Sequence, residues 1–266
     1  MTILEKELIM QLTRIPKIDM SLTEENLREK KFHNELQSRS KGRFENIFYK
    51  ALENTWEDFF DYLKRNSENS EILDYGCGVG PSIKKVIEFN PKKITGIDIS
   101  EVSIRKAKKE VAHLSSKIDL RVDNCEKTKL GDSQFDIVYG LGILHHLDFS
   151  KCLDEISRVL KLNGSLLFVE PLGTNPFINL YRRFTPNSRS KDEHPLMEKD
   201  LILLKKKFKT VEVKYYGFFT LVFFPFYTNP KKSFVFKILK KLDKLLFKIK
   251  FLRFLAWSVL IVAKKT

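Results

Sequence analysis

The stretch Ile72-Leu73-Asp74-Tyr75-Gly76-Cys77-Gly78-Val79-Gly80-Pro81 carries the strongest fold signal in this chain. A short apolar run leads into three glycines at alternate positions and closes on Pro81, a residue favoured at the first position of a helix. Glycines so spaced let the backbone turn sharply and approach a ligand closely. Strand, glycine loop and helix in that order put the loop at the carboxyl end of the strand, where open α/β sheets bind ligands.

The pattern continues outward from there. Strand-like runs at 71–75, 94–98, 118–123, 135–140, 165–170, 210–216 and 257–263 alternate, for the most part, with helix-like segments at 81–89, 101–112, 151–161 and 198–208. This order predicts a mainly parallel sheet covered on both faces. Upstream, residues 1–66 read as helical and carry Gly42 as their one glycine. Thr23 is the expected N-cap of one helix, with Glu24, Glu25 and Asn26 in its first turn. A second helix is expected over about 44–65, where Phe44, Ile47, Phe48, Ala51, Leu52, Trp56, Phe59, Phe60 and Leu63 recur at helical spacing. The chain thus divides into a helical cap, 1–66, and an α/β domain, 67–266.

The spacing here is G-x-G-x-G, whereas the dinucleotide fingerprint is G-x-G-x-x-G. Asp74 stands two residues before the first glycine. A pyrophosphate gains nothing from a nearby carboxylate, but a cofactor with a cationic amino-acid tail does. Asp98 ends the next strand, 24 residues after Asp74, and can accept hydrogen bonds from both hydroxyls of a ribose. Asp123 ends the third strand, followed by Asn124 and Cys125, and can accept from an adenine amino group. Each aspartate alone could equally be a helix cap or loop residue; three at successive strand ends favour a ligand.

Asp74–Gly80, Asp98 and Asp123 resemble the first three motifs of the class I S-adenosylmethionine-dependent methyltransferases. The segment Phe135-Asp136-Ile137-Val138-Tyr139-Gly140-Leu141-Gly142-Ile143-Leu144-His145-His146-Leu147 is similar to that family's fourth-strand region, and Val159-Leu160-Lys161-Leu162-Asn163-Gly164-Ser165-Leu166 to the approach to its fifth strand. The resemblance covers about 71–170 closely and 197–266 loosely. It implies a Rossmann-like, doubly wound sheet of seven strands whose last, at 257–263, is antiparallel. It also implies S-adenosylmethionine as cofactor, with contacts at Asp74, Gly76, Cys77, Gly78, Gly80, Asp98, Ile99, Asp123, Asn124, Cys125, Gly140 and Leu141. The motifs are specific for fold and cofactor and say little about the acceptor.

Methyl transfer from a sulfonium is an in-line displacement that mainly demands alignment. A general base is needed only if the acceptor must lose a proton. His145 and His146 follow the fourth strand, and Glu170 ends the fifth, all at the ligand edge; His145 and Glu170 are candidate catalytic groups. The long stretch from Glu170 through Tyr181-Arg182-Arg183-Phe184-Thr185-Pro186 to His194 is expected to form a substrate lid, since long loops at this edge are usually functional. His194 is the preferred base there, and Tyr181, Arg182 and Arg183 are candidate substrate contacts, Arg182 and Arg183 toward an anionic group. Phe32 and His33 are candidates for closing the site from the N-terminal side. No metal-ligand spacing stands out, so no metal is expected.

The chain has 266 residues and a net charge of +14. Residues 231–253 hold nine of its Lys and Arg against Asp243 as their one acid, so the basic character is largely local. Cys77, Cys125 and Cys152 show no paired spacing, which suits a reducing compartment. Glu5, Lys6 and Glu7 stand where a secretion signal needs an apolar run, so none is expected. The segment 217–253 is an insertion relative to a minimal family member. Its first part is aromatic, uncharged and too short to span a bilayer. At 100° per residue, Lys237, Lys240, Lys241, Lys244 and Lys248 share one arc of a helix, opposite Val235, Ile238, Leu239, Leu242, Leu245, Leu246 and Ile249. Such a helix is expected to lie on an anionic membrane surface, making the protein cytoplasmic and peripheral on the inner face. A surface helix packed on the sheet is the plainer alternative. The expected activity is methyl transfer to a small-molecule or lipid-like acceptor. An RNA methyltransferase and a non-catalytic S-adenosylmethionine-binding protein are the alternatives. Nucleic acid is not expected as a partner, because no Asp/Asn-Pro-Pro-aromatic motif follows the fourth strand and no cysteine sits in a Pro-Cys context.

Overall fold

The computed structural model describes residues 22–38, 47–185, 189–227 and 229–266. Expectations that fall on 1–21, 39–46 and 186–188 lie outside the described residues; among them are the secretion-signal reading, Gly42, Phe44 and Pro186.

Seven strands form one sheet: β1 (Glu71–Tyr75), β2 (Lys93–Asp98), β3 (Ile118–Val122), β4 (Phe135–Leu141), β5 (Leu160–Pro171), β6 (Thr210–Tyr216) and β7 (Ser258–Lys264). Their spatial order is β3-β2-β1-β4-β5-β7-β6. β1 pairs in parallel with β2 and β4, β2 with β3, and β4 with β5. β7 runs antiparallel between β5 and β6, as the family resemblance implies. The helices flanking the sheet are α1 (Glu24–Ser38), α2 (Glu53–Asn66), α3 (Ile83–Val86), α4 (Glu101–Val111), α5 (Phe149–Val159), α6 (Pro176–Phe184) and α7 (Glu198–Lys207).

The central strands are apolar without interruption because both their faces are covered. Leu73, Val138 and Phe168 pack on one side with Leu153 and Ile156 of α5. Their sequence neighbours Ile72, Ile137, Tyr139 and Leu167 pack on the other with Phe59 and Leu63 of α2 and Ile104 and Val111 of α4. The alternation along each strand thus sorts the core into two layers.

Four expected elements differ. The helix predicted over 81–89 is α-helical only at Ile83–Val86 and tightens to a 3-10 turn over Ile87–Phe89, so Pro81 lies in the turn before it. Asn90, left-handed at φ 53, and Pro91 end it. The helix predicted over 151–161 starts at Phe149, where Asp148 accepts from the Ser150 and Lys151 amides, and stops at Val159. β5 begins at once with Leu160, because a register shift between Phe135 and Ile137 lets residues ahead of Ser165 join the strand. The helix predicted over 44–65 is a 3-10 segment over Ile47–Leu52 followed by α2.

The insertion between β6 and β7 contains α8 (Phe219–Val222) and α9 (Phe234–Leu246), with 3-10 turns at Phe224–Phe226, Pro230–Lys232 and Lys250–Leu255. The basic helix is therefore 13 residues long, capped by the Ser233 hydroxyl, and Lys248, Lys250 and Arg253 lie beyond its end. It has a small core of its own, Tyr227, Phe236 and Leu239 against Phe219 and Phe224. Lys231 and Lys240 pair with Glu53 and Glu57 of α2. Asp243 is 1% exposed. Its carboxylate accepts from the Phe219 amide at 2.7 Å and the Thr220 hydroxyl at 2.9 Å, with the Phe218 and Thr220 amides at 3.3 and 3.4 Å. The one acid of the basic tract thus caps α8 from the opposite helix. Asp243→Ala leaves these donors buried and unpaired, a loss of about 1–3 kcal/mol. Amides 218–222 should then lose hydrogen-exchange protection while those of β1, β4 and β5 keep theirs; unchanged protection at 218–222 would show that the carboxylate does not hold the insertion together.

Candidate cofactor and acceptor site

Parallel strands deliver their following loops to one edge, and the predicted residues collect there. Gly76 adopts φ +76, and a Cβ on it would stand 2.5 Å from Ile143 Cγ1, so the first glycine lets the loop after β4 close over the loop after β1. Gly78, at φ +53, faces open space, with nothing within 4 Å of where a Cβ would point. Its amide donates to Asp98 Oδ2 at 2.9 Å, and Asp98 Oδ1 accepts from the Ser100 amide at 2.9 Å. Burial pushes the Asp98 carboxyl up, and the Ser100 and Gly78 amides pull it back. The side of Gly80 is closed by Val111 and Ala107 of α4. Ile99 is half-buried beside Asp98.

The other acids at this edge also organise loops. Asp74 is 2% exposed, and its Oδ2 accepts from Ser82 Oγ at 2.6 Å and Tyr139 OH at 2.8 Å. Burial lifts its carboxyl to about 7 against the pull of those two donors. Asp123 accepts from the Asn124 and Lys129 amides, both at 2.9 Å. Cys77 and Cys125 are buried, and that burial raises their thiols. Gly140 is buried in the sheet and Leu141 half-buried at its edge.

Helix α1 lies across these loops. Thr23 caps it as predicted: its hydroxyl accepts from the Asn26 amide at 3.2 Å, and Asn26 Oδ1 accepts from the Thr23 amide at 3.3 Å. Asn124 Nδ2 donates to Asn26 Oδ1 at 3.0 Å, Ser100 Oγ donates to Asn34 Oδ1 at 2.5 Å, and Lys30 pairs with Glu101. A helix normally buries an apolar stripe; α1 turns Asn26, Glu29, His33 and Asn34 inward, with Asn26 and Glu29 fully buried. Phe32 is half-buried, its ring edge-on to His33 at 5.5 Å.

Glu170, fully buried, organises the loop after β4. Its Oε1 accepts from the Ile143 and Leu144 amides at 2.9 and 2.8 Å, and His145 Nδ1 lies 2.7 Å from its Oε2. Burial lifts its carboxyl to about 7, opposed by the Leu144 and Ile143 amides. His145 Nε2 points toward Glu193 Oε1 at 4.0 Å. His194 is exposed; its amide donates to the His145 carbonyl at 2.8 Å and its Nδ1 lies 3.0 Å from the Asp192 carbonyl. Among its described residues, the segment expected as a lid contains helix α6 and comes back to the sheet edge at an isolated bridge between Leu172 and Leu196. Arg28 of α1 grips Asp192 with two hydrogen bonds, at 2.7 and 2.9 Å, so lid and cap meet. Arg182 Nη1 donates to the Leu172 carbonyl and to Asn179, both at 2.9 Å, which ties it to the base of the lid; Tyr181 and Arg183 are exposed.

One cluster escaped sequence reading. Glu29 and His33 of α1 meet His146, whose Nδ1 is 3.1 Å from Glu29 Oε2. Burial, seconded by His145, pushes His146 down to about 4. Burial works to raise the Glu29 carboxyl, but His146 and His33 outweigh it and hold it below the usual carboxylate range. Motif spacing cannot reveal such a group, because its members lie on separate elements.

Residues 73–168 match the family described as Methyltransferase domain. Over those residues the chain is similar to the class I S-adenosylmethionine-dependent methyltransferases. It is similar to the sterol 4-C-methyltransferase of Caenorhabditis elegans, 32% identical over 42% of this chain and 34% of that one. It is also similar to the ubiquinone/menaquinone biosynthesis C-methyltransferase of Geotalea daltonii, 32% identical over 45% of this chain and 53% of that one. The chain therefore spans about a third to a half of the length of these curated relatives. In fold, the chain is similar to geranyl diphosphate C-methyltransferase from Streptomyces coelicolor A3(2), with a TM-score of 0.63 and 12% identity over 92% of this chain and 99% of that one.

Burial lifts the Glu170 carboxyl to about 7 in the folded chain, against an ordinary 4.5 once unfolded. The folded chain thus holds an extra proton between those values, so this group's contribution to stability is lost as pH rises through that window. Glu170→Gln removes the dependence. Between pH 4.5 and 7.5 the wild-type Tm should fall relative to that of Glu170→Gln; a constant gap would show that this carboxyl is not raised.

Proposed function

We propose that this chain transfers the methyl group of S-adenosylmethionine to a small, lipid-like acceptor at an anionic membrane surface. The open Gly78 cradle beside the Asp98 carboxylate, roofed by a helix with a polar inner face, carries the reading. The residues present fit the cofactor. Asp98 spends one lone pair per oxygen on the Gly78 and Ser100 amides and keeps others for ribose hydroxyls. Ile99, Asp123, Asn124 and Cys125 border the adenine end. Gly76, Cys77, Gly78 and Gly80 shape the loop that the amino-acid tail follows, with Asp74 fixing it from below and Gly140 and Leu141 closing the edge. When bound, S-adenosylmethionine supplies an electrophilic methyl on a sulfonium sulfur and leaves as a neutral thioether.

His145 is the proton acceptor for any acceptor that must lose one. Its Nδ1 is engaged by Glu170, a positioning residue, and its Nε2, which faces Glu193 Oε1 at 4.0 Å, takes the proton. His194 is a second candidate base at the mouth, and Phe32, His33, Tyr181 and Arg182 border the acceptor. The two curated relatives named above act on sterols and on quinone precursors by their names, which supports a lipid-like acceptor. With methyl-labelled S-adenosylmethionine, purified protein and a lysate of the source cells, label should enter the organic phase. Label confined to the aqueous phase would overturn the lipid-like acceptor. Asp98→Ala should weaken S-adenosylmethionine binding in a calorimetric titration by about 1–3 kcal/mol, and an unchanged affinity would overturn its role.

The membrane reading rests on α9. Among the described residues, no helix is long and apolar enough to cross a membrane. Phe236, Leu239 and Asp243 face inward, but Val235, Ile238, Leu242 and Leu245 stay 40–57% exposed. At 100° per residue these four span about 80° of arc. Lys237, Lys241 and Lys244 are exposed on the flank of that stripe, and Phe226, Phe234 and Phe251 are 73–79% exposed nearby in the insertion. An apolar stripe edged by cations matches an interfacial helix. Replacing Lys237, Lys241 and Lys244 by Gln should cut co-sedimentation with anionic liposomes roughly 100-fold, at about 1 kcal/mol per lysine. Equal binding by wild type and variant would remove the membrane from this reading.

A further inference from the structure

We propose that Glu29, His33 and His146 form a binding site for a divalent transition-metal ion of the zinc class, which clamps helix α1 to the loop after β4. Glu29 and His33 stand one helical turn apart on the inward face of α1, and His146 comes from the 3-10 turn Leu144–His146. Glu29 Oε2 lies 3.1 Å from His146 Nδ1 and 3.5 Å from His33 Nε2, and one ligand atom from each residue lies within 4.8 Å of the others. Two donors bound at about 2.0–2.1 Å to a tetrahedral ion stand about 3.3–3.4 Å apart, so both close pairs already have the separation an ion imposes.

The polar bookkeeping points the same way. The Glu29 and His146 side chains are 6% and 3% exposed. Neither Glu29 oxygen nor His146 Nε2 has a hydrogen-bond partner among the described residues, and Ser190 Oγ reaches His146 Nδ1 only at 3.4 Å. A buried carboxylate needs a paired charge or a metal, and what Glu29 faces is two imidazoles, His146 and His33, which are metal ligands in their neutral form. Two imidazoles and one carboxylate suit Zn2+ and its neighbours; Mg2+ and Ca2+ take oxygen-only shells. Three protein ligands leave a fourth position open. The site adjoins the Asp98 and Gly78 cradle, His33 lying near enough to pull the Asp98 carboxyl down, but its three ligands are distinct from the residues proposed to hold the cofactor.

The test uses the full chain stripped with a chelator and titrated with Co2+ and Zn2+. One equivalent of Co2+ should bind with a visible ligand-field spectrum, and Zn2+ should displace it and raise the Tm. His33 is the most exposed ligand, with a side chain 25% accessible. His33→Ala should keep the fold by circular dichroism, weaken metal binding at least tenfold and abolish the Zn2+-dependent rise in Tm. His113→Ala, on the surface far along the chain, should bind like wild type. Substoichiometric binding, or equal affinity in His33→Ala and wild type, would overturn the site. S-adenosylmethionine binding by the stripped protein, measured in parallel, separates this outcome from a failure of the methyltransferase reading.

Discussion

Everything at the working edge of this sheet hangs on buried carboxylates that end strands. Asp74, Asp98, Asp123 and Glu170 each stand at the end of a strand or one residue from it, and each spends its oxygens on a loop that follows a strand of the sheet. A loop at a sheet edge has amides with no ladder partner, and an unpaired buried amide is costly. A carboxylate at the last strand position is within reach of several. The choice between loop residue and ligand contact is therefore a false one for these side chains, since an ionised carboxylate has about four acceptor sites. Glu170 shows the limit of that logic: with no exposure and three donors, it is spent on the loop and on His145.

The sheet was legible because its signals are local. Apolar runs bounded by turns gave all seven strands within a few residues, and the start of α1 was written in Thr23 and Asn26, which bond each other. Boundaries that depend on a partner strand were not legible. The early start of β5 follows from its pairing with Phe135 and Ile137, which nothing between 151 and 165 encodes. The short α3 follows from Asn90 in a left-handed conformation, which an apolar periodicity does not register.

The site was half legible for the same reason. Acids and glycines at strand ends could be found by position, whereas the meeting of Glu29 and His33 with His146 is made by docking α1 onto the sheet. The signal that existed was the polarity of one face of α1, with Asn26, Glu29, His33 and Asn34 at helical spacing, of which His33 is legible in the sequence as a site candidate and Glu29 is not. The basic helix was misjudged in the opposite sense. Its apolar side divides in the structure, Phe236 and Leu239 packing inward while Ile238 and Leu242 remain outside. A helical wheel shows one apolar arc and cannot say where the core stops.

The place of β7 has a consequence for how the chain reaches this structure. Residues 258–264 fill a gap between β5 and β6, although they follow both in sequence, and β6 hydrogen-bonds to no other strand of the sheet. Until that segment has emerged, the flank of β5 and both edges of β6 stand open, and the amphipathic insertion has no strand to hold its far end. Late closure of a long-range pairing is slow and leaves apolar edges exposed. The nascent protein is thus most prone to aggregate, and most in need of chaperone binding, between the emergence of β6 and that of the final strand.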